Sequence, residues 1–160
     1  IVANLPYNVG TALLVKWMTA ENWKPWFKSL TLMFQKEVGE RIIAKPRTKA
    51  YGRLSVLCQY RASASLLFDI PRQAFIPPPK VTSCTVQIVP QDEKPDAPKQ
   101  KILEKLVSAA FNQRRKMLRA SLKTMGVDPL PKLAAAGIEQ TARAEELSVD
   151  DFCRLAKEYE

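Results

Sequence analysis

The residues that could do chemistry begin at the fourth position, with Asn4-Leu5-Pro6-Tyr7 directly after the apolar Ile1-Val2-Ala3. An amide carbonyl and a main-chain carbonyl, held in a turn stiffened by proline, can accept hydrogen bonds from an exocyclic adenine amine. Such an amine is a poor nucleophile because its lone pair is delocalised into the ring, so it must be oriented. The ring of Tyr7 offers a face on which an extruded base stacks. A site of this kind needs no strong base and works by positioning. The same four residues would serve equally well as a strand-ending turn, with Asn4 satisfying backbone groups and Tyr7 covering a sheet edge. No histidine occurs in the 160 residues, which removes the commonest general base and metal ligand. Cys58, Cys84 and Cys153 lie far apart without a C-x-x-C spacing. Neither a metal site nor a disulfide framework is expected, and a reducing cytoplasm fits.

A second constellation is Phe111-Asn-Gln-Arg-Arg-Lys-Met-Leu-Arg119. Taken as one helix, it gathers Arg115, Lys116, Arg119 and Lys123 on one arc and Leu103, Val107, Leu118 and Leu122 on another. Charge concentrated in this way suits a phosphate backbone, although a solvated helix face is the ordinary alternative. Arg114 falls among the apolar positions of that arrangement, where an unpaired guanidinium is costly. It is expected to pair at a domain junction, with Glu145 and Glu146 as candidate partners. Lys and Arg outnumber Asp and Glu by 25 to 16, for a formal charge of +9 and a pI near 9.6, which points to a polyanion and favours nucleic acid over acidic lipid.

These residues need elements to position them. With 46% hydrophobic and 26% charged residues the chain can bury a core, and no run of about 18 apolar residues suggests a membrane span. Residues 1–7 read as a buried strand entering a turn, Thr11 to Ala20 as a helix, Ser29 to Phe34 as a strand, and Lys36 to Ala44 as a helix stopped by Pro46. This β-α-β-α alternation implies a parallel sheet covered by helices, whose ligands sit at strand carboxyl ends. Leu54 to Tyr60 suits helix or strand. Ser65 to Ile70 and Ser83 to Val89 read as strands around Ile76-Pro-Pro-Pro79 and could pair as a hairpin at a sheet edge. The Pro-rich, charged stretch 91–99 reads as a linker between residues 1–90, an α/β catalytic portion, and residues 100–160, a small all-α portion. In the latter, one helix from Gln100 to Met125 is ended by Pro129 and Pro131, and a last helix starts at Ser148 with Asp150 and Asp151 in its first turn.

Read in order, Asn4-Leu-Pro-Tyr7, Phe34-Gln-Lys-Glu-Val-Gly-Glu-Arg-Ile42, Tyr51-Gly-Arg-Leu-Ser-Val56 and Phe75-Ile-Pro-Pro-Pro-Lys-Val-Thr-Ser83 resemble the ribosomal RNA adenine dimethyltransferase family, over nearly the whole chain. The resemblance implies the later strands of a Rossmann-like class I methyltransferase sheet followed by a small helical domain. It assigns Asn4 to the target amine and the methyl donor, Leu5 and Pro6 to the turn, and Tyr7 and Phe75 to the two walls of a base pocket. Lys80 is a candidate phosphate contact. Gln35, Glu37, Arg41, Tyr51, Gly52 and Ser55 are expected to be structural. The F-x-Q-R-R-K-x-L-R run is typical of members that dock on the small ribosomal subunit, which casts Arg115, Lys116, Arg119 and Lys123 as RNA contacts.

The implied activity is S-adenosylmethionine-dependent dimethylation of N6 on two adjacent adenosines near the 3′ end of 16S rRNA, by a cytoplasmic monomer acting on the immature small subunit. Gly10, Gly39, Gly52, Gly126 and Gly137 do not form the family's Gly-rich cofactor turn, and all follow the catalytic tetrapeptide. The cofactor site within this chain is therefore expected to be incomplete, the fragment alone to be inactive, and its first strand to lack a sheet neighbour. The alternatives are a large-subunit rRNA methyltransferase of the macrolide-resistance type and a non-catalytic RNA-binding assembly factor.

Overall fold

Leu30–Gln35 alternates between buried and half-buried side chains, the period of a strand with one face on a core. In the computed structural model, which describes residues 1–21, 23, 25–92 and 96–160, this segment is β2 of a four-stranded sheet. Its companions are β1 (Val2–Ala3), β3 (Ala62–Ile70) and β4 (Ser83–Pro90), in the order β1-β2-β4-β3. β1 runs parallel to β2, as the alternation of elements predicts, but the expected parallel order ends there: β4 returns antiparallel to β2, and the β3–β4 pair closes one edge as an antiparallel hairpin. Leu30, Leu32 and Phe34 lie opposite Ile88, Val86 and Cys84, so both strands offer one apolar face to the same core.

Three helices cover that face. In α1 (Tyr7–Met18) the buried positions are Gly10, Leu14 and Met18, one residue per turn. The helix begins at Tyr7, not at Thr11 as periodicity suggested. Pro6, at φ −54°, already has the backbone angle of a helix entry, and its carbonyl accepts the N–H groups of Val9 and Gly10. In α2 (Lys36–Ile43), Gly39 approaches β4 so closely that a Cβ would stand 2.2 Å from Cys84 Sγ. The Gln59 amide donates to the carbonyls of Ile42 and Ala44, satisfying acceptors left over at the end of α2. The segment that suited either helix or strand is α3 (Arg53–Gln59).

The second core is helical: α4 (Gln100–Asn112), α5 (Leu118–Ser121), α6 (Pro129–Ala135) and α7 (Val149–Glu158). It draws Tyr51, Val56 and Tyr60 from the first half of the chain, and the buried Tyr51 hydroxyl donates to the Leu147 carbonyl. Of the expected linker, residues 93–95 lie outside the described residues.

Two expectations here need correction. The helix from Gln100 to Met125 is broken after Asn112. Lys116 N–H turns back to the Gln113 carbonyl, Met117 forms a β-bridge with Arg143, and Leu118 N–H donates to Ala142. Tertiary hydrogen bonds thus replace the intrahelical ones that a continuous helix would need. Pro129 and Pro131, expected only to end a helix, sit in the first turn of α6, where a missing N–H costs nothing, and the Asp128 side chain caps it by accepting from Leu130. By contrast α7 starts as predicted: Ser148 and Asp151 bond reciprocally in a capping box. Among the described residues no helix is long and apolar enough to cross a membrane.

Candidate active site

β1 delivers Asn4 at its carboxyl end, and because Pro6 turns the chain directly into α1, Tyr7 is placed in the first helical position. Asn4 is exposed and Tyr7 half-buried, so neither is sealed inside packing. The Tyr7 hydroxyl is hydrogen-bonded to that of Ser83, the fully buried first residue of β4, which fixes the ring from the far side of β2. From the loop that precedes β4, Phe75 follows a short 3-10 turn over Arg72–Ala74. Asn4, Leu5, Pro6, Tyr7 and Phe75 line a single cavity of about 230 Å³, together with Met33, Pro77 and Pro79. All five residues expected at the catalytic site are therefore brought together. An apolar slot with an aromatic ring from each of two elements and one exposed amide at its mouth is suited to a flat heteroaromatic ring carrying an amine.

Met33 and Ser83 were not anticipated. Met33 lies on the face of β2 opposite the helices, so strand alternation combined with the position of the pocket could have found it. Ser83 had only its place at the start of a strand beside the loop.

Lys80 is exposed on the outer side of the same loop, and its carbonyl accepts from the Arg72 guanidinium at 3.1 Å. Nearby, Lys36 bonds to Asp69, an interaction that raises the lysine pKa above its ordinary value. Glu37 pairs with Arg41 as an exposed pair along α2, not in the packing of helix on sheet expected of them, whereas the buried Ser55 donates its hydroxyl to the Arg41 carbonyl, a structural role as expected.

Arg115, Lys116, Arg119 and Lys123 are all exposed. They do not share one helix: the first two occupy the turn after α4, Arg119 lies on α5, and Lys123 lies in the 3-10 turn that follows it. Arg114 points the other way. Its Nε meets Glu145 Oε2 at 2.9 Å and a terminal nitrogen donates to the Thr48 carbonyl, while Arg47, held at φ 67°, donates its N–H to the Glu145 carbonyl. The expected partner is therefore present, although the reason differs: Arg114 has left the helix and reaches across to two loops.

Between α1, α3 and the end of α4 runs a cleft of about 860 Å³, starting at Asn8 beside the pocket and ending at Phe111 and Arg114. Arg41, Lys49 and Arg53 also line it, and among the described residues no carboxylate does. These three basic residues stand apart in the sequence with no pattern to mark them, which is why they were not identified as a group.

Comparisons with known proteins bear on the family and the fold. The family model described as "Ribosomal RNA adenine dimethylase" matches residues 1–160. The chain is 58% identical over 159 residues to "Ribosomal RNA small subunit methyltransferase A" of Azorhizobium caulinodans, covering 99% of the chain and 54% of that protein. It is 57% identical to the protein of the same name from Xanthobacter autotrophicus, covering 99% and 55%. The chain thus spans about half the length of the curated relatives it matches. Among solved structures it resembles a dimethyladenosine transferase from Plasmodium falciparum, with a TM-score of 0.79, 25% identity, and coverage of 96% of this chain and 64% of that one. It also shares the fold of the 23S rRNA methyltransferase ErmE, with a TM-score of 0.62, 22% identity, and coverage of 98% and 63%.

Proposed function

The chain belongs to the ribosomal RNA adenine dimethylase family, and from that premise we propose that it forms the base-binding and RNA-docking part of an enzyme that dimethylates N6 of two adjacent adenosines near the 3′ end of 16S rRNA, in the cytoplasm, on the immature small subunit. The observation that carries this reading is the shared cavity of Asn4, Tyr7 and Phe75 at the end of β1. A target adenosine is splayed out of its strand and stacks between Tyr7 and Phe75. Its amine donates to the Asn4 side-chain carbonyl and to the Leu5 main-chain carbonyl, which draws the nitrogen lone pair out of conjugation with the ring and localises it for attack. S-adenosylmethionine, when bound, supplies the electrophilic methyl group. Of this chain's residues, Asn4 would meet it, and an exposed neutral amide fits that contact without adding charge beside a sulfonium. Once alkylated, the nitrogen releases its proton to water, so the absence of histidine from the chain is compatible with the reaction. Positioning and hydrogen-bond orientation provide the rate enhancement.

Arg115, Lys116, Arg119 and Lys123 dock on the ribosomal RNA, and the cationic cleft carries backbone between that face and the pocket. Each phosphate contact adds about 0.7 to 0.9 to the salt slope of binding.

The test is methyl transfer by the full-length protein to immature small subunits and to naked rRNA. Asn4→Ala is expected to lower turnover much more than RNA affinity. The reverse result would mean that Asn4 only anchors RNA. Transfer to large-subunit RNA alone, or no transfer by the wild type, would overturn the assignment.

A further inference from the structure

The loop between β3 and β4 has two working sides. Phe75, Pro77 and Pro79 line the base pocket, while Arg72, Lys80, Val81 and Thr82 line a second hollow of about 440 Å³ with Gln35, Lys36 and Glu37 at its floor. Pro79 and Lys80 are consecutive residues, so the two cavities are separated by the thickness of one strand of backbone. A base and its own phosphate are likewise separated by one sugar.

The charges of the hollow do not cancel. Lys36 is neutralised by Asp69, and Glu37 by Arg41. Arg72 and Lys80 are both exposed, and among the described residues neither makes an ion pair with a carboxylate. The Arg72 guanidinium is nevertheless not free to wander, because one of its nitrogens donates to the Lys80 carbonyl at 3.1 Å, which ties the two cationic residues together across the loop. A guanidinium held at one nitrogen retains further N–H donors for a phosphate oxygen, and the Lys80 ammonium supplies a second positive charge.

We propose that Arg72 and Lys80 form a phosphate subsite that grips the phosphodiester next to the extruded adenosine, so that one loop holds the base on its inner side and the backbone on its outer side. This inference rests on the base-pocket reading given above. It assigns Arg72 a positioning role that its place in the sequence, between Pro71 and Gln73, does not suggest. The subsite is selective for a strand whose base is already flipped, since only then does the adjoining phosphate face the hollow.

The experiment uses the full-length protein with Arg72→Gln and Lys80→Gln, singly and together. Glutamine retains a side-chain donor for the Lys80 carbonyl at position 72 but carries no charge, so the loop is kept while the ion contact is lost. Each single variant is expected to raise KM for the RNA substrate roughly two- to fivefold, the scale of an exposed ion pair. Each should also reduce the slope of log binding constant against log salt by about 0.7, one phosphate contact on a single strand, with kcat unchanged. A substrate bearing a neutral methylphosphonate at the phosphate adjoining the target adenosine should bind wild type and Arg72→Gln alike. An unchanged salt slope in both variants, or an undiminished effect of Arg72→Gln on the methylphosphonate substrate, overturns the subsite. Tyr7→Ala separates this failure from failure of the pocket reading: if Tyr7→Ala leaves turnover intact the pocket itself is wrong, whereas loss of turnover there with inert Arg72 and Lys80 variants removes only the phosphate contact.

Discussion

Replacing Tyr7 by Phe isolates the contribution of a single oxygen. The substitution keeps the ring face that would stack on a base and removes only the hydroxyl bonded to Ser83. Ser83 has no exposed surface, and Tyr7 is its side chain's hydrogen-bond partner in the structure, so its hydroxyl is stranded by the change. A hydrogen bond of this kind contributes about 0.5–1.5 kcal/mol, and leaving a buried partner unsatisfied costs about 1–3 kcal/mol. Tyr7→Phe should therefore destabilise by about 1–2 kcal/mol. Ser83→Ala should cost less, because the Tyr7 hydroxyl is left at the rim of an open pocket where water can reach it. The double variant should resemble Ser83→Ala alone, giving a coupling equal to the Tyr7→Phe cost, about 1–2 kcal/mol, well beyond the few tenths by which independent sites depart from additivity. Thermal unfolding reads the stability differences, at roughly 2–4 °C per kcal/mol for a domain of 150–250 residues. In methyl-transfer assays KM for RNA should hold, because the stacking face is intact. If ring orientation carries about 1 kcal/mol of the barrier, kcat should fall roughly fivefold in Tyr7→Phe. Strict additivity of the two substitutions, with unchanged kcat, would show that the bond neither stabilises the fold nor orients the ring.

Three further predictions concern the scaffold. Gly39→Ala pushes a methyl group to 2.2 Å from Cys84 Sγ and 3.1 Å from Val86, so despite a helix-propensity gain of about 1 kcal/mol it should be net destabilising by about 1–2 kcal/mol. Adding Cys84→Ala should recover part of that loss, and a neutral Gly39→Ala in thermal unfolding would refute the close approach. Arg114→Ala removes the Glu145 and Thr48 contacts and should cost about 1 kcal/mol because the pair is partly exposed. Its effect on the salt slope of RNA binding should be smaller than that of Arg115→Ala, because Glu145 already neutralises its charge, and an equal effect would show that the pair opens to let Arg114 bind phosphate in the cleft. For Asp151, burial alone would raise the pKa, but hydrogen bonds from Ser148 and the charge of Arg154 outweigh it and hold the carboxyl below its ordinary 3.8. A depressed folded-state pKa stabilises above the ordinary value and is lost as pH falls through the folded one. Asp151→Asn should accordingly flatten the acid limb of the melting temperature against pH, and an unaltered limb would count against the capping box.

What could be read from the residues was whatever depends on local order. The strand over Ser29 to Phe34, the Ser148 cap and the stop at Pro46 are local facts, and the structure repeats them to within a residue or two. The break after Asn112 is not local: 3.6-residue spacing continues through Leu118 and Leu122, and only the bridge from Met117 to Arg143 shows that the chain leaves the helix. The prolines of α6 are ambiguous for a related reason, because proline stops a helix from within but starts one from its first turn. At the candidate site the motif residues were legible by type, and the cavity unites them. The partners that hold or extend the site, Ser83, Met33 and Arg72, were not. Their side chains are ordinary, and only the pairing of β2 with β4 and the return of the loop bring them into place.

α3 has a mechanical consequence. Val56 and Tyr60 belong to the helical core, and Cys58, between them, belongs to the core beneath the sheet. A seven-residue helix whose neighbouring side chains are embedded in different interiors leaves no seam along which the two could slide. A helix shared in this way rivets the two interiors together, so the basic turn and the aromatic slot sit on one framework.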